Sequence, residues 1–271
     1  MPTKPEQADL LQVLFGRNGE SPVPVLAPQS PADGFDIAVE AFRLAVRAMT
    51  PVFVLSDGYL ANSAEPWALP DPDTMEPIVI THPTAADYGE GNPFLPFGRN
   101  PETLGRPWPL PGEYGLEHRI GGLSKQPGTG NVSYSPDDNE RMIHDRAEKV
   151  ARLAEVIPLL QVFGEPSGDL LVIGWGSSYG AIHQAVERAQ RAGASVSAVH
   201  LRHLNPFPAN LDEIMHNFKQ ILVPEMNLGQ LAMLLRAKTL LPVISMVKVR
   251  GRPFKISEIS ARIDELLGNN A

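Results

Sequence analysis

The chain has 271 residues, 43% of them hydrophobic and 20% charged, which is enough apolar material for one or two globular cores. Its 31 acidic and 23 basic residues leave a net charge of −8 with no basic run, which argues against a nucleic-acid partner, and no apolar stretch approaches the ~20 residues of a membrane span. With no cysteine the chain forms no disulfide and offers no thiolate to an iron–sulfur cluster, so any cluster in its electron path has to sit on a partner, and a soluble cytoplasmic protein is the expectation.

The segment Glu6 to Phe15 carries apolar residues at helical spacing, with Pro5 suited to the first helical position and Thr3 or Lys4 near the cap. Val23 to Ala27 is a short apolar run. Ser30-Pro31-Ala32-Asp33 then gives a helix start with proline at its first position, and Phe35, Ala38, Val39, Phe42, Ala45, Val46 and Met49 fall on one helical face. Pro51-Val52-Phe53-Val54-Leu55 follows as a buried strand. The result is a βαβ unit that delivers Ser56-Asp57-Gly58-Tyr59 to the carboxyl edge of a parallel sheet. Asp57 either serves chemistry at that edge or caps a loop.

Between Glu65 and Glu140 lie 13 of the 27 prolines, and only Ile78-Val79-Ile80 looks strand-like. A loop of this length is functional or wrapped on a partner, and Phe94, Phe97, Trp108, Tyr114, Leu116, Ile120 and Tyr134 give it side chains to bury. We read it as an ordered arm. At its centre Glu117-His118-Arg119 precedes Gly121-Gly122; these ionisable groups beside a glycine pair either bind a carboxylate or form a loop-fixing salt-bridge cluster.

A helix is expected from Asn139 or Glu140 to about Ile157, and Gly164-Glu165-Pro166-Ser167-Gly168 reads as a linker. Beyond it, Leu170–Gly174, Val196–Leu201, Ile221–Val223 and Val243–Val247 are apolar strand candidates alternating with helical stretches, the pattern of a parallel, doubly wound sheet. The seven histidines are dispersed and none stands in an H-x-x-x-H pair. His200 and His203 read as a strand end followed by a loop in which His203 bonds locally. Gly174-Trp175-Gly176-Ser177-Ser178-Tyr179-Gly180 departs from the dinucleotide fingerprint, and no acidic residue ends the next strand, so a bare strand-to-helix turn is expected. At the other such junction, Glu225 ends a strand and Asn227 suits an N-cap. Met226, Leu228, Leu231, Met233, Leu234 and Leu235 make an apolar surface that suggests a subunit or interdomain interface.

Five blocks carry a resemblance: PTKPEQADLL from Pro2, LSDGYLANSAEPW from Leu55, GLEHRIGGLSK from Gly115 with TGNVSY from Thr129, LRHLNPFP from Leu201 and VPEMNLGQLAMLLRAK from Val223. In this order they resemble the alpha subunits of 2-oxoacid:ferredoxin oxidoreductases, particularly the 2-oxoglutarate type. In such subunits the first block follows an arginine and a Gly-Pro-Ser-Thr-Gly run, so the resemblance implies that this chain is the later part of a longer one. It also implies an α/β fold with a partial pyrimidine-binding domain at residues 1–81 and an arm at 82–138. A helix and linker at 139–167 then lead to a transketolase C-terminal-like parallel α/β domain at 168–271.

The activity implied is oxidative decarboxylation of a 2-oxoacid to an acyl-CoA, with thiamine diphosphate and magnesium as cofactors. Electrons would leave through a [4Fe-4S] cluster on a beta subunit to ferredoxin, and coenzyme A would take the acyl group. By the same resemblance Thr3 donates a hydroxyl to the substrate's carboxylate or keto oxygen. His118 and Arg119 are the other substrate-binding candidates; none is assigned to catalysis or a metal. The family's activating glutamate and substrate arginine precede the first block. Two other readings are a non-catalytic interaction module on the same fold, and a nucleotide-dependent dehydrogenase suggested by the glycine turn at Gly174.

Overall fold

The computed structural model describes residues 5–268. In chain order its elements are α1 (Leu10–Phe15), β1 (Val25–Leu26), α2 (Asp33–Ala48), β2 (Phe53–Val54), α3 (Gly58–Asn62), α4 (Pro136–Ala151) and β3 (Gly168–Trp175). There follow α5 (Tyr179–Arg191), β4 (Val196–Leu201), β5 (His203–Asn205), α6 (Leu211–His216), β6 (Phe218–Glu225), α7 (Gln230–Thr239), β7 (Ile244–Val247) and α8 (Ile256–Leu267).

The C-terminal region is built as the apolar runs require. Its four strands are all parallel in the order β4-β3-β6-β7. Because successive side chains point to opposite faces, Leu171 and Ile173 of β3 pack with the α6 and α7 side chains Met215, Leu231 and Leu235. Leu170 and Val172 pack instead with Ile182 and Val186 of α5 and Ile259 and Ile263 of α8. Helices on both faces explain why β3 is apolar throughout rather than alternating.

The N-terminal region forms the expected βαβ unit, with β1 and β2 parallel, but its sheet is small. Phe53 and Val54 of β2 are 37% and 43% exposed, so the anticipated buried strand is an exposed edge strand. The opposite edge is completed from far along the chain: β5 pairs antiparallel with β1, register Val25 to Asn205. His203 is therefore not a loop residue bonded locally. Its Nε2 meets Glu40 Oε1 of α2 at 3.1 Å, and Arg202 Nε donates to Asp33 Oδ2 at 3.1 Å, so adjacent residues of the C-terminal region are tied to the start and the middle of α2.

Several boundaries differ from the expectation. α1 begins at Leu10, because Gln7 spends both its backbone and its side chain on β6 and β3 rather than on a helical turn. α2 begins at Asp33 rather than Pro31; Ser30 Oγ still accepts from Asp33 N at 3.3 Å. α4 starts at Pro136, the proline supplying a favourable first turn. Ile78-Val79-Ile80 forms no strand, and Val79 is 77% exposed. No helix among the described residues is long and apolar enough to cross a membrane.

The arm between α3 and α4 is ordered by turns and isolated bridges, including Phe97 with Gly128 and Lys125 with Val132. Of its expected anchors, Leu116 is buried and Phe94 and Phe97 are half-buried. Tyr114, Ile120 and Tyr134 lie open at 87%, 72% and 96%, because the described residues put nothing over that face.

Candidate functional site

The carboxyl edges of β3 and β6 meet the N-terminal segment at a polar knot. Gln7, 4% exposed, donates from Nε2 to the Trp175 carbonyl at 2.6 Å and accepts at Oε1 from Met226 N at 2.9 Å. Its backbone N–H donates to the Met226 carbonyl at 3.2 Å, and its carbonyl accepts from Asn227 Nδ2 at 2.9 Å. One residue thus closes an edge of each of two adjacent strands, satisfying groups that the ends of β3 and β6 would otherwise leave unpaired. The tight approach needs Gly176, whose φ is +57° and where an added Cβ would come within 2.9 Å of Gln7 Nε2.

Two carboxylates are buried at this junction, and both are occupied. Asp57 caps α3, accepting at Oδ1 from Tyr59 N at 2.8 Å and Leu60 N at 3.1 Å, and its Oδ2 accepts from the Ser177 hydroxyl. Of the two roles open to Asp57, the geometry is that of a cap, with a cross-link to the start of the β3–α5 turn. Glu225 is fully buried and accepts from Leu231 N at 2.7 Å, Ala232 N at 3.0 Å and Asn227 Nδ2 at 3.0 Å. Burial pushes its pKa up, against the opposing pull of the α7 N–H groups and Asn227. Asn227 Oδ1 in turn accepts from Gly229 N at 2.7 Å and Gln230 N at 2.9 Å, serving the helix start as its sequence position suggests.

The apolar residues around this junction divide differently from the expected interface. Met226, Leu231 and Leu235 are core, whereas Leu228 at 81% and Met233 at 48% are exposed. Gly174 is required by packing: a Cβ there would meet Ile182 at 2.4 Å and His200 at 3.0 Å. His200 is held neutral, its pKa lowered to about 3 by burial, opposed by a hydrogen bond with the Gly176 backbone and assisted by Arg202. It is therefore no proton carrier near neutral pH.

The candidate substrate residues fall in two places. Thr3 lies outside the described residues, four positions before Gln7. His118 is half-buried, with Nδ1 2.8 Å from the Leu116 carbonyl and its ring edge-on to Phe94 at 5.4 Å. Arg119 is exposed and points back along its own loop toward Gly121, and the Glu117 carboxylate accepts from Gly115 N at 2.9 Å. These contacts fix the loop without pairing the three ionisable side chains to one another.

Sequence reasoning missed Gln7. A lone glutamine in a proline-bracketed segment carries no spacing signal, and its importance comes from partners 168 to 220 positions away. Among the described residues no group of three or more His, Asp or Glu side chains is placed to hold a metal ion, and both buried carboxylates of the junction are spent on the backbone. What the junction does is fix Gln7 itself against the C-terminal sheet.

Residues 1–125 match the family model described as "Pyruvate flavodoxin/ferredoxin oxidoreductase, thiamine diP-bdg", and residues 168–259 match "Pyruvate:ferredoxin oxidoreductase core domain II". The 2-oxoglutarate oxidoreductase subunit KorA of Mycobacterium tuberculosis is 51% identical over 261 residues, which is 96% of this chain and 39% of that protein. Subunit alpha of 2-oxoacid:ferredoxin oxidoreductase 2 of Aeropyrum pernix is 32% identical, over 98% of this chain and 42% of its own length. The solved 2-oxoglutarate:ferredoxin oxidoreductase of Magnetococcus marinus, with 2-oxoglutarate, coenzyme A and succinyl-CoA bound, superposes with a TM-score of 0.89 at 31% identity. That superposition takes in 98% of this chain and 46% of the solved one.

Proposed function

The chain belongs to the 2-oxoacid:ferredoxin oxidoreductase alpha-subunit family, and from that premise we propose that it is the portion of such a subunit that anchors the substrate loop to the C-terminal α/β domain. The reaction of the assembled enzyme is oxidative decarboxylation of 2-oxoglutarate to an acyl-CoA with reduction of ferredoxin. The observation that carries this reading is the 51% identity that runs through 96% of the chain to a named 2-oxoglutarate oxidoreductase subunit.

Thiamine diphosphate with magnesium, and a [4Fe-4S] cluster held by a beta subunit, belong to the same reading, as do ferredoxin, coenzyme A and a cytoplasmic location. The absence of cysteine in this chain supports placing the cluster on the partner. Thiamine diphosphate supplies the carbanion chemistry when bound; this chain's own share is positioning. Thr3 is the residue whose hydroxyl would meet the substrate's carboxylate or keto oxygen, and Gln7 is the first anchor after it in the chain. His118 and Arg119 sit on a loop with spare donors for the same anion. We divide the chain at residues 81, 138 and 167 into the end of the pyrimidine-binding domain, the arm, the helix with its linker, and the C-terminal domain.

The test is a hybrid enzyme in which these 271 residues replace the matching segment of the Mycobacterium tuberculosis subunit, co-purified with its beta partner. Ferredoxin reduction that requires both 2-oxoglutarate and coenzyme A is expected. Assembly of the complex without any 2-oxoacid-dependent reduction would overturn the proposal. It would favour a non-catalytic interaction module, a reading that the occupied carboxylates Asp57 and Glu225 also fit. Within the active hybrid, Thr3→Ala should lower kcat/KM by roughly ten- to a hundredfold while Thr3→Ser keeps most of it, the loss expected for one charge-assisted hydrogen bond.

A further inference from the structure

The fold collects a cationic cavity that no run in the sequence announces. Arg99, Arg106 and Lys125 of the arm and Arg141, Arg146 and Lys149 of α4 line one cavity of about 570 Å³. The carboxylates on its wall are Asp138 and Asp145, and neither is free: Asp138 accepts from the Ser133 hydroxyl at 2.6 Å and Asp145 pairs with Arg99 at 3.1 Å. The remaining cations find mostly neutral partners. Arg106 donates to the Pro96 carbonyl at 3.2 Å and lies over the Phe97 ring at 4.3 Å, while Lys125 donates to the Leu123 carbonyl at 2.7 Å. Arg146 Nε is buried with no hydrogen-bond partner.

Like charges gathered out of water repel and lose hydration, and a protein of net charge −8 has acidic side chains enough to neutralise them if neutralisation were the purpose. The cost is visible in Lys149, whose pKa is lowered to about 8 by burial and by Arg99, Arg106 and Arg146. Four guanidinium forks and two ammonium groups facing one space are the donor set that suits phosphate oxygens, which take bidentate contacts from arginine. The cavity is larger than a single phosphate needs, and Leu104, Pro127 and Met142 give one part of its wall an apolar character.

We propose that the cavity between the arm and α4 is a binding site for a small molecule bearing a diphosphate group. It would hold the arm against α4 when filled, because three of its cations come from each. The proposal does not rest on the 2-oxoacid reading, since it uses none of the residues of the Gln7 junction.

The test is calorimetric titration of the full chain with inorganic diphosphate, with adenosine diphosphate, and with citrate at matched ionic strength. Saturable binding of inorganic diphosphate is expected, weakened by about tenfold or more in Arg141→Gln/Arg146→Gln, the loss of one or more charge-assisted contacts. It should be unchanged in the control Arg188→Gln on the exposed side of α5. Should the double variant melt before titration, Lys125→Gln, on the arm, is read in its place. Tighter binding of adenosine diphosphate than of inorganic diphosphate would assign the apolar wall to the organic group, and equal binding would leave the site to diphosphate alone. Absence of saturable binding, equal weakening in Arg188→Gln, or citrate binding as tightly as diphosphate would overturn the proposal.

Discussion

The C-terminal sheet and the proline-rich arm solve the same problem with different means. In the sheet, the central strand β3 is sandwiched between helices, and its side chains Leu170, Leu171, Val172 and Ile173 are fully buried. The arm has a lower apolar content and no ladder to organise it, so turns, bridges and cation-to-carbonyl bonds hold it while Tyr114 and Tyr134 stay open to solvent. Stability should therefore be concentrated in the sheet and its junction with the N-terminal segment.

Substitutions that break this contrast are ranked by how much buried polar matter they strand. Glu225→Leu leaves Leu231 N, Ala232 N and Asn227 Nδ2 without their acceptor and should cost about 2–4 kcal/mol, read as a lowered midpoint in urea. A midpoint within error of the parent would refute the view that this carboxylate starts α7. Gln7→Ala opens the ends of β3 and β6 and should cost about 1–3 kcal/mol by the same measurement.

Lys149→Met sharpens the comparison from the other side, since here a buried charge in the arm region opposes folding. Its pKa of about 8 in the folded protein, against 10.5 when unfolded, means the unfolded chain binds more protons between those values. Stability should accordingly rise with pH from about 8 to 10.5, and the penalty is fully present below 8. The methionine variant should gain roughly 1–2 kcal/mol at pH 7 and little at pH 10.5. An equal gain at both would remove the ammonium charge as the cause. Smallest of all, Tyr134→Ser, at a residue 96% exposed, should shift stability by less than about 0.5 kcal/mol.

How much of this was legible in the sequence follows from the range of the interactions. Strands β3, β4, β6 and β7 are all announced by local apolar runs; in β3, β4 and β6 burial on both faces leaves little alternation to misread, while the edge strand β7 is only half-buried. The parallel pairing of β1 with β2 was legible from the intervening amphipathic helix. The third strand of that sheet was not, since His203–Asn205 is three residues long and gains its strand character only from β1. The Gln7 junction and the cationic cavity were hidden for the same reason. Arg99, Arg106, Lys125, Arg141, Arg146 and Lys149 are spread over some fifty positions, and only the packing of the arm on α4 brings them to one space. The Leu and Met stripe after Asn227 is divided by the fold: Leu231 and Leu235 share a core with Leu10 of the N-terminal segment, as an interdomain surface would, while Leu228 and Met233 stay exposed.

The central claim is that Gln7 ties the N-terminal segment to the carboxyl ends of β3 and β6 and that the proposed activity depends on this tie. It is tested most directly by kcat/KM for 2-oxoglutarate in the hybrid enzyme carrying Gln7→Ala. With both side-chain bonds of Gln7 removed, efficiency should fall by roughly ten- to a hundredfold with the complex still assembled. An assembled variant that turns over 2-oxoglutarate as efficiently as its parent would contradict the account.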